Sequence, residues 1–409
     1  ANGEKIHASE SISDTSRSEK QDQNLYSEYA SILGKRLQDA RANGVKFRNC
    51  GVTGENVTIK GFDSSFQFQS TVQDIVFFPL TIYRAVQAKK HHHKRKILSQ
   101  INFLIKPGEM CLVLGRPGAG CSSFLRTVAG ELGNFTDVDG EISYDGIPQK
   151  EMIKHFKGDI IYNGEMDVHF PHLTVSQTLE MAIACKEPHS LSDKKIPKKQ
   201  HIHGNRDLYA GIFHLTHTFN TKVGNDFVRG VSGGERKRVS IAEAMAARGS
   251  VYCWDNSSRG LDSSSAYDYI KAIRTVSDLI KSVAFVAIYQ AGENIYRKFD
   301  KVTVLYDGRQ IYYGTINKAK PYFERMGFQS PPRQTTPEFL TAITQRIDSK
   351  DATAVKIREE FKNTIPRTAE DFERVWRGSP EYQELIQEIH AYNNRVDSEG
   401  TRALYRDSI

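Results

Sequence analysis

Met110-Cys111-Leu112-Val113-Leu114 runs without a break into Gly115-Arg116-Pro117-Gly118-Ala119-Gly120-Cys121-Ser122-Ser123. The apolar run reads as a buried strand, and Ser122 to Ala129 reads as a helix. A strand, a Gly-rich loop and a helix in that order form a phosphate cradle. Glycines let the backbone come close to a ligand, and the helix N-terminus offers unpaired N–H groups at its positive end. The loop fits the pattern Gly-x-x-x-x-Gly-Lys-Ser/Thr except that Cys121 stands where lysine is expected. A chain built round such a unit is expected to be α/β.

A second turn has the same physical character. Val231-Ser232-Gly233-Gly234-Glu235-Arg236-Lys237-Arg238 opens into a helix-forming run from Glu235 to Ala247. Its glycines again allow close approach, and the Ser232 hydroxyl adds a donor for an anion. Alone the turn is weak, because Ser-Gly-Gly also occurs in plain loops. Its weight comes from order: a Gly-rich loop upstream, and downstream an apolar strand from Ser250 that ends in Asp255.

That order resembles the nucleotide-binding domain of ATP-binding-cassette (ABC) transporters, with Val231–Glu235 as the signature motif. The string Val-Ser-Gly-Gly-Glu-Arg-Lys-Arg-Val-Ser-Ile is similar to the G subfamily. The resemblance implies an ABC-type P-loop ATPase core with a mixed β subdomain and an inserted α-helical subdomain. It implies ATP and Mg²⁺ as ligands, with Gly115–Ser123 on the nucleotide and Ser122 and Asp255 on the metal. Gly260-Leu261-Asp262 resembles the loop that crosses the dimer. Ser232, Gly233, Gly234 and Glu235 would serve the ATP of a second nucleotide-binding domain, since such domains sandwich ATP head to tail.

Four positions depart from the family pattern. Cys121 replaces the lysine, Asn256 stands where a catalytic Glu is expected, Tyr289 replaces His, and Glu165 falls on a Gln that touches Mg²⁺. A lysine ammonium beside phosphate contributes at most ~4 kcal/mol at a partly screened 4 Å, which a thiol cannot supply. Asn256 cannot take a proton from water, which removes a general-base factor of roughly 10²–10⁴. Tyr289 lacks imidazole nitrogens, and Glu165 brings negative charge towards the phosphates. The expectation is a site that holds ATP and hydrolyses it poorly, beside an intact signature. A Cys-bearing P-loop, Trp-Asp-Asn and an intact signature together resemble the N-terminal half of fungal pleiotropic drug resistance transporters. Cys121-Ser122-Ser123 and Tyr162-Asn163-Gly164-Glu165 are most similar to the branch exporting nitroquinoline-type toxicants. The alternative is a stand-alone, inactive ABC-fold regulator or scaffold. Cys121 itself reads either as a reactive thiol at a helix N-terminus or as an inert small residue.

The rest of the chain bounds these readings. Its 409 residues do not limit core size, and 39% hydrophobic with 26% charged residues reads as globular. Five cysteines without CxxC spacing read as reduced thiols. No apolar run approaches the ~20 residues of a membrane helix. The opening Ala1-Asn2-Gly3-Glu4, without Met, and the end at Asp407-Ser408-Ile409 suggest a fragment of a protein whose membrane helices lie elsewhere in its sequence. The resemblance implies a place for this domain on the cytoplasmic face of the plasma membrane. A net charge of +7 demands neither nucleic acid nor lipid, and no nucleic-acid partner is expected. The expected partners are a second nucleotide-binding domain and the transmembrane domains of one transporter.

Residues 1–44 are expected to form a disordered segment and an amphipathic helix, 45–345 the nucleotide-binding domain with a helical subdomain at about 166–249, and 346–409 a polar helical connector. The run Lys89 to Lys96, with three histidines, reads as a solvated basic loop; a metal reading lacks a second ligand group. Glu187 to Asn205 reads as a polar insertion before a helix from Asp207, and His169, His172, His201 and His203 are expected to be exposed.

Overall fold

The computed structural model describes residues 28–29, 31–39, 42, 48–61, 95–133, 135–186, 197–345, 355–361 and 363–401. The expected first disordered stretch, most of the basic histidine run and the far C-terminus lie outside the described residues.

Ten strands make one mixed sheet: β1 (Val52–Gly61), β2 (Arg95–Ile105), β3 (Met110–Gly115), β4 (Asp137–Tyr144), β5 (Ile147–Pro148), β6 (Ile160–Asn163), β7 (Val251–Asp255), β8 (Val283–Ala287), β9 (Lys301–Tyr306) and β10 (Arg309–Thr315). Their spatial order is β5-β4-β1-β2-β10-β9-β3-β8-β7-β6. One end is antiparallel, with β1 paired to both β2 and β4. The other is parallel through β9, β3, β8, β7 and β6. β3, β7, β8 and β9 are buried along their whole length. β3, β8 and β7 up to Trp254 read as unbroken apolar runs because a parallel sheet is covered on both faces, while β9 also buries Lys301 and Thr303. The β9–β10 hairpin turns at Asp307-Gly308, both at positive φ, which gives the twist a tight hairpin needs.

Helix α1 (Cys121–Val128) follows β3 and packs on the sheet through Phe124. Phe124, Phe103 and Phe285 meet edge to face, with centroids 5.2–5.7 Å apart. Between β6 and β7 lie α2 (Val175–Cys185), α3 (Lys198–Ile212) and α4 (Gly233–Ala246), which pack on one another. Thr174 caps α2 through a reciprocal capping box with Gln177. α3 starts at Lys198, inside the stretch expected as a polar insertion. Apolar residues concentrate in its C-terminal half, so the spacing signal begins late.

Helix α5 (Ser263–Ile280) follows the Gly260-Leu261-Asp262 loop. Asp262 caps it by accepting from the Ser264 and Ser265 N–H groups, each at 3.2 Å. Within the stretch expected as a polar connector, two helices pack on the sheet. α6 (Ala369–Arg377) buries Phe372 and Trp376, and α7 (Pro380–Glu399) buries Leu385, Ile389, Tyr392 and Val396. The Tyr392 hydroxyl donates to Asp145 at 2.5 Å, closing α7 onto the antiparallel end of the sheet. At the other end of the chain, residues 31–39 are helical and Leu33 is buried. The Tyr29 ring lies on Gly211, and Arg36 donates to the Gly204 carbonyl at 3.0 Å. No helix among the described residues is long and apolar enough to cross a membrane.

Candidate functional site

Parallel register assembles the site. Val113 pairs with Ala287, Asp255 with Ala287, and Asn163 with Trp254, so β3, β6, β7 and β8 end along one edge. The loops leaving those ends carry Gly115–Gly120, Glu165, Asn256 and Tyr289. The carboxyl edge of a parallel sheet is where α/β folds bind ligands.

The loop after β3 is a tight turn. The Ala119 N–H donates to the Arg116 carbonyl at 2.9 Å, and Gly118 and Gly120 have φ of 85° and 103°. The φ of Gly120 favours glycine whatever the space, and a Cβ there would also displace the tip of Leu98, 2.7 Å away. A Cβ on Gly118 would meet nothing within 4 Å, so that face of the turn is open. Gly120 gives α1 no side-chain cap. Its first N–H groups are left for another acceptor. Arg116 donates to the Thr344 carbonyl at 3.1 Å, tying the loop to the chain beyond β10. Ser123 continues α1 one residue after Ser122.

Cys121 points inward. It is buried, and its Sγ would lie 2.9 Å from a Cβ on Gly115. Burial, and then the Asp255 charge, push its thiol up to about 12. The helix N-terminus does not activate it, and of the two readings the inert one fits the geometry.

Asp255, also buried, accepts from Ser122 Oγ at 3.0 Å and from the Tyr162 hydroxyl at 2.7 Å. The next residue, Asn256, sits at φ 48°, which Asn tolerates better than most side chains. Asn256 Nδ2 donates to Glu165 Oε1 at 3.0 Å, and Arg259 pairs with the same carboxylate. Arg259, then Asn256, hold the Glu165 carboxyl below its usual range against a small burial cost. Its charge is therefore matched within the chain, rather than left facing the phosphate edge. Burial raises the Tyr289 phenol, and a bond with Ser122 opposes that shift. Pro117, Glu165, Asn256, Leu261, Tyr267 and Tyr289 line a cleft of about 810 Å³.

The signature turn lies across the helical layer. Ser232 caps α4 by accepting from the Glu235 N–H at 3.3 Å, and Glu235 accepts from the Ser232 N–H at 2.8 Å. His217 lies 3.0 Å from Glu235. Val231 is held by its N–H to the Lys222 carbonyl at 3.0 Å. A Cβ on Gly233 would meet nothing within 4 Å, and one on Gly234 only Leu261 at 3.9 Å. The Gly260-Leu261-Asp262 loop thus borders the signature within one chain, with Gly260 at φ 80° and equally open.

Sequence reasoning missed Lys237. Its buried ammonium donates to Asp167 at 2.9 Å and to the Glu165 carbonyl at 3.1 Å, tying α4 to the loop after β6. The partners are 70 and 72 residues apart, and no local pattern joins them. His169 corrects an expectation: its side chain is buried, with Nδ1 3.0 Å from Glu243. Met166, Val168 and Phe170 alternate with Asp167 and His169 and point outward, at 81%, 84% and 65% exposure.

The residues fit a nucleotide with its metal. The open glycine turn, the uncapped start of α1, and one carboxylate beside one hydroxyl supply what phosphate and a divalent cation take. Among the described residues no group of three His, Cys, Asp or Glu side chains could hold a metal alone, so phosphate oxygens and waters would complete its shell.

This edge belongs to a nucleotide-binding domain of the ATP-binding-cassette family: residues 98–259 match the family model described as ABC transporter. Within the family its similarity is to fungal transporters of the SNQ2 and PDR18 kind. It is 56% identical to Protein SNQ2 of Saccharomyces cerevisiae over 91% of this chain and 24% of that protein. It is 55% identical to the ABC multidrug transporter SNQ2 of Candida glabrata over 92% of this chain and 25% of that protein. It is 54% identical to the ABC transporter ATP-binding protein/permease PDR18 of Saccharomyces cerevisiae over 87% of this chain and 26% of that protein. The chain spans about a quarter of the length of these curated relatives.

Proposed function

We propose that the chain is the cytosolic ATP-holding half of a multidrug exporter, with an ATP site of its own that hydrolyses little and a signature that completes its partner's site. The observation that carries this is the end of β7. Asp255 meets Ser122 of the phosphate loop at 3.0 Å, while the residue after it is Asn256, a side chain with no basic form.

The loop amides and the start of α1 bind phosphate, and Ser122 and Asp255 hold the cation. When bound, that cation neutralises phosphate charge. The Glu165 carboxyl accepts from Asn256, but its lowered pKa makes it a weak base and Arg259 occupies it. Tyr289 offers one hydroxyl in place of an imidazole. The open glycines of the signature are directed to a second nucleotide-binding domain. The exposed Met166, Val168 and Phe170 suit an apolar partner, which we assign to the transmembrane domains at the cytoplasmic face of the plasma membrane. We assign residues 45–345 to the nucleotide-binding unit, with its helical subdomain at about 166–249, and 346–409 to a polar helical connector toward the membrane domains, of which α6 and α7 pack on the unit.

The test is fluorescent-ATP binding by the purified chain with Mg²⁺, alongside phosphate release. Binding without turnover is expected. Turnover that vanishes with Asp255→Ala would mean the site has a base after all. Neither binding nor turnover would favour an inactive scaffold.

A further inference from the structure

Asp255 is gripped from both sides, and only one side belongs to the phosphate loop. Ser122 donates to Oδ1 at 3.0 Å, and the Tyr162 hydroxyl donates to Oδ2 at 2.7 Å. Tyr162 in turn accepts from Arg126 Nε at 3.1 Å, and the guanidinium lies 5.7 Å from the Tyr162 ring centroid. Arg126 is in the last turn of α1, Tyr162 is on β6, and Asp255 ends β7. Three elements therefore converge on one carboxylate that is 4% exposed.

The direction of this chain of bonds is fixed by chemistry. A guanidinium can only donate, so Arg126 uses a Tyr162 lone pair and leaves the phenol hydrogen for Asp255. A phenol ordinarily loses its hydrogen only at about pH 10, so the donor is present at neutral pH. The carboxylate then cannot turn about its bond to Cβ without losing Tyr162, Ser122 or both.

We propose that Tyr162 and Arg126 are positioning residues that fix the Asp255 carboxylate in the orientation with which it meets the divalent cation of a bound nucleotide. This rests on the reading of the site given above. Outer partners of metal-binding carboxylates typically carry a 10–100-fold share of metal affinity.

The test titrates Mg²⁺ against fluorescent ATP on the purified chain, with the same binding measured in EDTA and thermal midpoints without ligand. Tyr162→Phe keeps the ring and removes the donor. It should raise the Mg²⁺ concentration for half-maximal enhancement about ten-fold, with EDTA binding and the midpoint little changed. Arg126→Gln should shift it in the same direction by less, and it decides the matter if Tyr162→Phe does not fold. Unchanged Mg²⁺ dependence in a folded variant overturns the inference alone. An equal loss with Mg²⁺ and with EDTA also overturns it, because the bonds would then be structural. If the unsubstituted chain shows no Mg²⁺-dependent binding, the reading of the site falls and this inference with it.

Discussion

Two Gly-rich turns in this molecule open helices, and their glycines are needed for opposite reasons. In the phosphate loop, a Cβ on Gly115 would lie 2.9 Å from Cys121 Sγ, and one on Gly120 would lie 2.7 Å from Leu98. The chain's own structure accounts for both, Gly115 by packing and Gly120 chiefly by its φ of 103°. In the signature turn, Gly233 meets nothing and Gly234 has only an ordinary contact with Leu261. Both are helical residues of α4, where alanine is the better choice by propensity. Nothing among the described residues asks for glycine there. A requirement with no internal cause points to a ligand or partner that comes from outside, which is how the signature of one domain would serve another's nucleotide.

The sharpest way to break that contrast is in a full-length transporter. Ser232→Arg should abolish drug efflux, while Cys121→Ala should change it little. Ser232→Arg also removes a helix cap, at about 1 kcal/mol, so a melt must first show that the variant is folded. Equal loss of efflux from both substitutions would remove the asymmetry between the two turns.

Next in size is thiol reactivity. With a pKa near 12, the Cys121 thiolate is roughly one part in 10⁴ at pH 8. Iodoacetamide should label the exposed Cys185 at least a hundred times faster than Cys121. The folded-state pKa lies above the usual thiol value of about 8.5. The stability that burial of this thiol contributes is therefore full below that pH and is lost as pH rises towards 12. Labelling of Cys121 as fast as Cys185 at pH 8 would show that the phosphate loop opens readily and is not the packed turn described.

A backbone substitution probes the same loop with a smaller effect. Gly120→Ala places a Cβ at φ 103° and against Leu98. It should destabilise the chain by roughly 1–3 kcal/mol in a urea titration. An unchanged midpoint would mean that neither φ nor packing sets this glycine.

How far these features can be read from sequence depends on distance along the chain. The runs at Met110–Gly115, Val251–Asp255 and Val283–Ala287 are apolar because both sheet faces cover them, so the parallel core is legible. The loop glycines, Ser122 and Asp255 are legible because a phosphate cradle needs those types in that order. β4 starts at Asp137, earlier than its apolar part, because Asp137-Val138-Asp139-Gly140 is half-buried to exposed and carries no core pattern. The Glu165–Arg259 pairing spans 94 residues, and Tyr162–Asp255 spans 93. Such contacts arise only when β6 and β7 pair, which composition does not announce. The burial of His169 is hidden likewise, because its neighbours Val168 and Phe170 point the other way. Trp376 marks the C-terminal packing in hindsight, set against Tyr312, Tyr322 and Tyr382 within a stretch whose charge suggests solvent.

The smallest effect is the most discriminating. Gly234→Ala adds a methyl group where the nearest neighbour is Leu261 at 3.9 Å, so it strains nothing in the chain. Glycine costs a helix up to about 1 kcal/mol relative to alanine, less in the first turn than in the interior. The variant should therefore be more stable than the parent chain by roughly 0.5 kcal/mol, seen as a small rise in the urea midpoint at unchanged slope. In a full-length transporter the same methyl group would stand where phosphate must approach the backbone, and efflux should fall. A substitution that stabilises the chain and impairs the transporter locates the demand for glycine outside the chain. Loss of stability would locate it inside, and the two turns would then be alike.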